Sequence, residues 1–279
     1  LASRELHRIL YPANHPYHHY PMGTPETISR IARADLRDFH DAFYAPEGAI
    51  VAIVGGADAN RAASRMARAL DKWRKERTAS VKVDCSAPRP APRSPRIREL
   101  TLKDKHQAEV VFGVPGPPRT SRDFMAMEVL TQVAGGLGLM GRLGHALRER
   151  QGMAYYAYAS FSATPGAYPW SVHAGVNPRD VERAVRCILG ELCRIREHGI
   201  SARELRDTAG YLVGSLPLRL ETNEGRAAVL HHIEYYRLGA DYVERYPDIV
   251  QSVTRNDVHR VARRYVDMEG YGLIIVRPG

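Results

Sequence analysis

The stretch Leu147-Arg148-Glu149-Arg150-Gln151-Gly152-Met153-Ala154-Tyr155-Tyr156-Ala157-Tyr158 contains the change of period on which the fold turns. As far as Arg150 it is built of helix formers, with basic residues where a last turn would complement the helix dipole. Gly152 stands where a helix ends in a left-handed cap. From Tyr155 to Phe161 the pattern alternates, which predicts a strand with Tyr156 and Tyr158 on one face and Tyr155 on the other. Arg148 is thereby placed in the last helical turn and Tyr155 at the start of a strand. A guanidinium and a phenol so placed can share one wall of a cleft and reach a peptide carbonyl or a carboxylate. A plain structural reading stands beside this one. In it Arg148 complements a helix C-terminus and Tyr155 is a core residue with its hydroxyl turned out.

Working outward, His106 to Val114 reads as a strand, and Ser121 caps a helix running to Ala134 with Phe124, Met127, Val129, Leu130 and Val133 as its apolar residues. Gly135-Gly136-Leu137-Gly138-Leu139-Met140-Gly141 follows. It contains Gly136-x-Gly138-x-x-Gly141, the form of a dinucleotide fingerprint, but it follows a helix rather than a strand, so the phosphate-binding context is missing. It reads instead as a glycine loop leading into the helix of Arg148. Beyond Pro165-Gly166 a second strand spans Tyr168 to Val176. Helices are predicted over Pro178–Arg196, from the capping box Ser201-x-x-Glu204 to about Leu216, over Glu221–Tyr236 and Tyr242–Val250, and from Thr254-x-x-Asp257 to Tyr265. A strand closes the chain at Tyr271–Val276. Strands without strict βα alternation, with helices grouped, define an α+β layered fold.

Earlier in the chain, Leu6, Ile9 and Leu10 have helical spacing, and Leu36, Phe39, His40 and Phe43 mark an amphipathic helix. Gly48 to Val54 is continuously apolar and suits a strand buried on both faces. A helix capped by Asp58 or Asn60 is expected to bury Ala63, Met66, Ala67, Leu70 and Trp73. Between Thr78 and Arg98, Pro88, Pro90, Pro92 and Pro95 alternate with arginines, as in an extended tether. The expected organisation is therefore residues 1–77, a linker over 78–98, and a self-contained domain over 99–279.

At 279 residues, 44% hydrophobic and 25% charged, the composition is that of a globular protein without a membrane-spanning run. The net charge of +9 raises nucleic acid as a partner. The basic residues are scattered over helix faces, however, and no aromatic ribonucleoprotein-type motif accompanies them. Three cysteines without metal spacing are expected as reduced thiols. His15, His18 and His19 point different ways along a polar loop. In His231-His232-Ile233-Glu234-Tyr235 the position that a zinc helix needs as histidine is a tyrosine. No metal ligand is therefore expected in this chain. It opens at Leu1 and is expected to be the later part of a longer polypeptide; a cytoplasmic location is the working expectation.

The order of these features resembles the M16 metallopeptidases, the family of pitrilysin, insulin-degrading enzyme and mitochondrial processing peptidase. The resemblance is carried by His15-Pro16-Tyr17, Gly23-Thr24, Asp35-Leu36 with Phe39-His40 and Tyr44, and the Val51–Gly56 run. In the second half it is carried by the Gly135–Gly141 loop, Arg142-Leu143, Leu147-Arg148-Glu149, Gly152-Met153-Ala154-Tyr155, Leu218 to Asn223, Tyr246-Pro247, and Val253-Thr254 with Asp257-Val258. It covers nearly the whole chain.

The resemblance implies two similar α+β domains, the first incomplete here, that pair as half of a clamshell around an unfolded peptide. It implies zinc on an inverted His-x-x-Glu-His helix in the opposing half, where zinc polarises the scissile carbonyl and a Glu takes the proton of the attacking water. That motif occurs nowhere in these residues. What falls to this chain is substrate binding by Arg148, Tyr155, Gly135, Gly136 and Gly138, with no catalytic and no metal-binding residue of its own. A zinc-bearing half, in the same polypeptide or a partner of a dimer, is implied. The alternative is a non-catalytic structural subunit of the same family.

Overall fold

The computed structural model describes residues 1–71, 73, 92–136 and 140–279. These fall into two compact units, each discontinuous in sequence. The first comprises the described residues of 1–21, 84–212 and 247–279, and the second those of 22–83 and 213–246.

The first unit is built on a five-stranded mixed sheet in the order β1-β5-β2-β4-β3. The strands are β1 (Arg96–Leu102), β2 (Ala108–Pro115), β3 (Ala154–Ser160), β4 (Pro169–Val176) and β5 (Gly272–Pro278). β1 runs parallel to β5, and the other three pairings are antiparallel. β2 lies between β5 and β4, so both of its faces must be covered, and its run Val110-Val111-Phe112 has no solvent exposure. Phe112 meets Trp170 of β4 edge to face at 6.4 Å. The Trp170 indole N–H donates to Thr131 Oγ1 at 2.9 Å at the end of helix α5 (Phe124–Thr131). Helices α7 (Val181–His198) and α11 (Arg255–Tyr265) complete this layer through Ile188, Leu192, Ile195, Val258, Val261 and Ala262, all buried.

The opposite face of the sheet is covered in part by α1 (Ala2–Leu10), whose Leu6 and Leu10 join Val111, Ile274 and Val276 in one cluster. Gly113 and Gly272 make room for it: a Cβ at Gly113 would lie 2.6 Å from a Leu6 methyl. Residues 1–21 thus share a core with the strands that follow the Pro/Arg-rich stretch, and a cut at 78–98 alone does not separate the two units. β1 begins at Arg96, inside the stretch read as linker. The alternation of Arg96-Ile97-Arg98-Glu99-Leu100 suits an edge strand pairing with β5. Residues 78–91 of that stretch lie outside the described residues.

The second unit contains α2 (Pro25–Ile28), α3 (Arg33–Phe43), α4 (Ala59–Leu70) and α9 (Asn223–Tyr236). Helices α2 and α4 start at side-chain caps. Thr24 Oγ1 accepts from Thr27 N, and Asp58 Oδ1 accepts from Arg61 N at 2.8 Å. Their expected burial does not follow. None of α2, α3 and α4 has a buried residue, and Leu36 and Phe39 are 62% and 56% exposed. The predicted strand at Gly48–Val54 is also corrected. Residues 49–54 form no ladder among the described residues, and Val51 and Ile53 are half exposed. The physical reason is the same for both: an apolar run becomes a buried strand only when neighbours satisfy its backbone and cover its faces.

Candidate functional site

The segment from Thr131 to Ser160 builds one wall around the edge strand β3. α5 ends in a widened π-helical turn over Gln132–Gly136. A Cβ on Gly135 would lie 2.6 Å from the backbone N of Ala159, and one on Gly141 would lie 2.7 Å from the Cα of Gly135. Gly135 thereby lies directly on the β3 backbone and Gly141 directly on Gly135, close approaches that a side chain at either position would block. The nearest neighbours of a Cβ on Gly136 would be side-chain atoms of Gln132. Gly138 lies outside the described residues.

The helix carrying Arg148 starts as α6 (Arg142–Gly144) and continues as a second π turn over His145–Glu149. Leu143, Ala146 and Leu147 are fully buried, which turns Arg148 to the exposed side. Arg142 fixes the start of this helix: its Nε and Nη2 donate to Glu204 at 2.5 and 2.8 Å, and Nη2 also reaches Gly199 O at 3.2 Å. Glu204 accepts in addition from Ser201 N at 2.7 Å, the capping box expected from sequence, at the start of α8 (Ala202–Arg219). Burial by itself would raise the Glu204 carboxyl. The bonds from Arg142 and Ser201 outweigh it and hold the pKa at about 2.

Gly152 takes a left-handed φ of 62°, and the turn closes through Gly152 N to Arg148 O and Met153 N to Leu147 O, both at 2.9 Å. The predicted helix–glycine–strand transition therefore forms, and its consequence is a direct contact. Arg148 Nη1 donates to the backbone carbonyl of Tyr155 at 3.2 Å. The β3–β4 register slips between Ala154 and Tyr156, so Tyr155 sits in a bulge, and its side chain is 59% exposed. The reading of Tyr155 as a core residue is excluded.

Tyr156 and Tyr158 turn to the face of the sheet that α1 covers further along. The Tyr156 ring lies over Gly175, where a Cβ would come within 2.3 Å of it, and Tyr158 stacks on His173 at 4.9 Å with the rings 10° apart. His173 Nε2 and Ser171 Oγ are 2.9 Å apart. Burial keeps this imidazole low in pKa and therefore neutral near pH 7. The wall thus presents a guanidinium, an exposed phenol and a strand edge, the donors and the backbone ladder that an extended peptide can use.

The fit to a metal was tested on the donor set. Among the described residues no three His, Cys, Asp or Glu side chains gather in a group that could hold an ion. The histidines have other occupations. His7 and His18 Nδ1 meet the carbonyls of Tyr17 and Tyr11, and His15 Nδ1 accepts from Tyr17 N. His231 stacks on Tyr235. Zinc therefore finds no fitting donor set among the described residues. Sequence reasoning overlooked His7, which is buried in a nest of Tyr11, Tyr20 and Tyr168. Its only sequence signal was its place one residue after Leu6 on the face of α1 that meets the sheet.

Residues 30–209 match the family described as the peptidase M16 inactive domain, and the chain belongs to that family. An uncharacterized zinc protease of Streptomyces coelicolor is 30% identical over 87% of this chain and 53% of its own length. A non-peptidase homolog of Helicobacter pylori is 23% identical over 99% of this chain and 62% of its own. The chain thus spans a little over half the length of these curated relatives. Among solved structures, the peptidase M16 inactive domain from Pseudomonas fluorescens superposes with a TM-score of 0.88 at 24% identity. That match covers 100% of this chain and 65% of the other. A protease from Helicobacter pylori gives 0.87 at 19%, covering 99% and 66%. At these identities the structures share the fold.

Proposed function

We propose that this chain is the substrate-holding, zinc-free portion of an M16 metallopeptidase that hydrolyses unfolded peptides, with Arg148 and Tyr155 binding the peptide backbone. The observation that carries the reading is the pairing of these two residues across the Gly152 turn, with Arg148 on the Tyr155 carbonyl and the phenol exposed beside a strand edge. Their donors hold a peptide carbonyl in place as charge develops on it. Gly135 borders the same edge strand, and Gly135, Gly136 and Gly138 are assigned to the proposed peptide path. Zinc in the complete enzyme is held by ligands outside this chain, in a second half that closes on this one as a clamshell. In this reading the assembly is a dimer of halves in the cytoplasm.

The test is turnover of an unfolded peptide by the assembled, zinc-containing enzyme. Arg148→Ala is expected to lower kcat/KM on the order of a hundredfold, the loss typical of one transition-state donor. Unchanged turnover removes Arg148 from the site. A second reading, a non-catalytic family subunit, is favoured by the relative named a non-peptidase homolog. A full-length gene product that binds unfolded peptide and cleaves none would select it.

A further inference from the structure

The turn that separates Arg148 from Tyr155 is held from one side by α7. Arg183, Cys187 and Glu191 follow one another at intervals of four and so stand in one row along that helix. Each reaches one of the two residues that precede Gly152. Glu191 Oε1 accepts from Arg150 Nη2 at 3.0 Å. Gln151 Nε2 donates to Cys187 Sγ at 3.2 Å, and Gln151 Oε1 accepts from Arg183 Nη2 at 3.3 Å. A guanidinium can only donate, so the Arg183 contact fixes which end of the Gln151 amide faces which partner.

The two sides of this contact differ in how firmly they are placed. α7 is seated on the sheet by Val181, Ala184, Ile188, Leu192 and Ile195, none more than 1% exposed. Arg150, Gln151 and Gly152 are exposed, and nothing would lie within 4 Å of a Cβ on Gly152. Glu191 is 5% exposed, and a carboxylate at that depth needs donors. Arg194 on the same helix already supplies one, with Nη2 at 2.6 Å from Oε1. What the Arg150 bond adds is the attachment of the turn.

We propose that this row of α7 is a clamp that aims the Arg148–Tyr155 pair, with Glu191 and Gln151 as positioning residues. The inference rests on the reading of that pair as the peptide-holding site. A donor meets the charge developing on a carbonyl only within a narrow geometry. Arg150 and Gln151 lie between the two residues whose relative placement sets it, so both clamp residues act through Arg148.

The test is turnover of a quenched fluorescent, unfolded peptide by the assembled, zinc-containing enzyme. Glu191→Gln and Gln151→Ala are measured alone and each together with Arg148→Ala. Glu191→Gln is expected to lower kcat on the order of tenfold with KM nearly unchanged, the pattern of an interaction made only in the transition state. Gln151→Ala is expected to lower it about threefold. Its side chain is exposed, so this variant folds whatever becomes of the buried charge. Neither change is expected to cost anything further once Arg148 is alanine, a coupling that a residue of general structural importance does not show. A loss that persists in full beside Arg148→Ala overturns the inference. So does a parent-like kcat in both variants when Arg148→Ala by itself is impaired. A parent enzyme that cleaves no peptide, or an Arg148→Ala variant with unchanged turnover, fails the peptidase reading and the inference with it.

Discussion

Val110–Val114 and Ile50–Val54 are near-equivalent as sequences, five residues each, apolar apart from one glycine in the first. As structures they are opposites. Val110-Val111-Phe112 lies between two antiparallel neighbours, with helices on one face and α1 on the other, and has no exposed surface. Ile50–Val54 has no paired neighbour among the described residues, and α3 and α4 in the same unit have no buried residue. Intrinsic propensity is the same in both, so it is the supply of partners that makes one a strand. An open core is itself informative, because contiguous exposed apolar surface marks an interface.

The largest effects are expected where the core is closed. Phe112→Ala removes a ring packed against Trp170 and Tyr271 and is expected to destabilise the first unit by about 3–5 kcal/mol. Urea unfolding followed by tryptophan fluorescence measures it, since Trp170 reports this core. A loss under about 1 kcal/mol would mean that this unit is as loosely packed as the other.

A buried charge separates the two units next. Asp123, 1% exposed, accepts from Arg260 Nη1 at 2.5 Å and from Arg264 Nη1 and Tyr265 Oη at 3.1 Å, tying the start of α5 to α11. Burial would raise this carboxyl, but those donors together hold it below the ordinary aspartate value. A depressed folded-state pKa gives stability that is complete above the unfolded value of about 4 and is lost as pH falls through the folded one. Asp123→Asn is accordingly expected to cost about 2 kcal/mol near neutrality, with the gap to the parent closing below about pH 4. Thermal melts across that range check it. In the second unit the Asp241–Arg245 pair is solvent-exposed on both sides, and Asp241→Asn is expected to leave the melting temperature unchanged.

What the sequence disclosed follows the same division. The turn at Gly152, the capping boxes at Ser201 and Thr254, and the strands β2, β3 and β4 were legible because each rests on local chemistry or on a period repeated over several residues. The Arg148–Tyr155 pairing was legible through the helix–glycine–strand transition, though not the bulge that exposes Tyr155, since register depends on β4. The seating of α1 was not legible. Leu6 and Leu10 announce an apolar face, but the matching vacancy is made by Gly113 and Gly272, far along the chain. Nor was the open state of Val51 and Ile53, because a sequence pattern states that cover is needed and not whether it is present.

Gly152→Ala tests the pivot of the candidate site at a smaller scale. Nothing lies within 4 Å of a Cβ there, so the cost comes only from holding alanine at a φ of 62°, about 1 kcal/mol. In the assembled enzyme the same change is expected to lower peptide turnover more than thermal stability, because it shifts Arg148 relative to Tyr155. Equal and small effects on both would detach the turn from function.

The smallest effect carries the comparison furthest. In these 279 residues Ile53 is half exposed, and Ile53→Ala is expected to change stability by less than about 0.5 kcal/mol, as at an ordinary surface position. In a full-length gene product whose further residues cover this run, the cost is expected to rise to about 2 kcal/mol or more. Paired chemical-denaturation curves of the two lengths read the difference directly. A cost equally small in both would leave the run an exposed extended segment. A cost large in both would mean that residues 49–54 are already covered within this chain, and the contrast with Val110–Val114 would vanish.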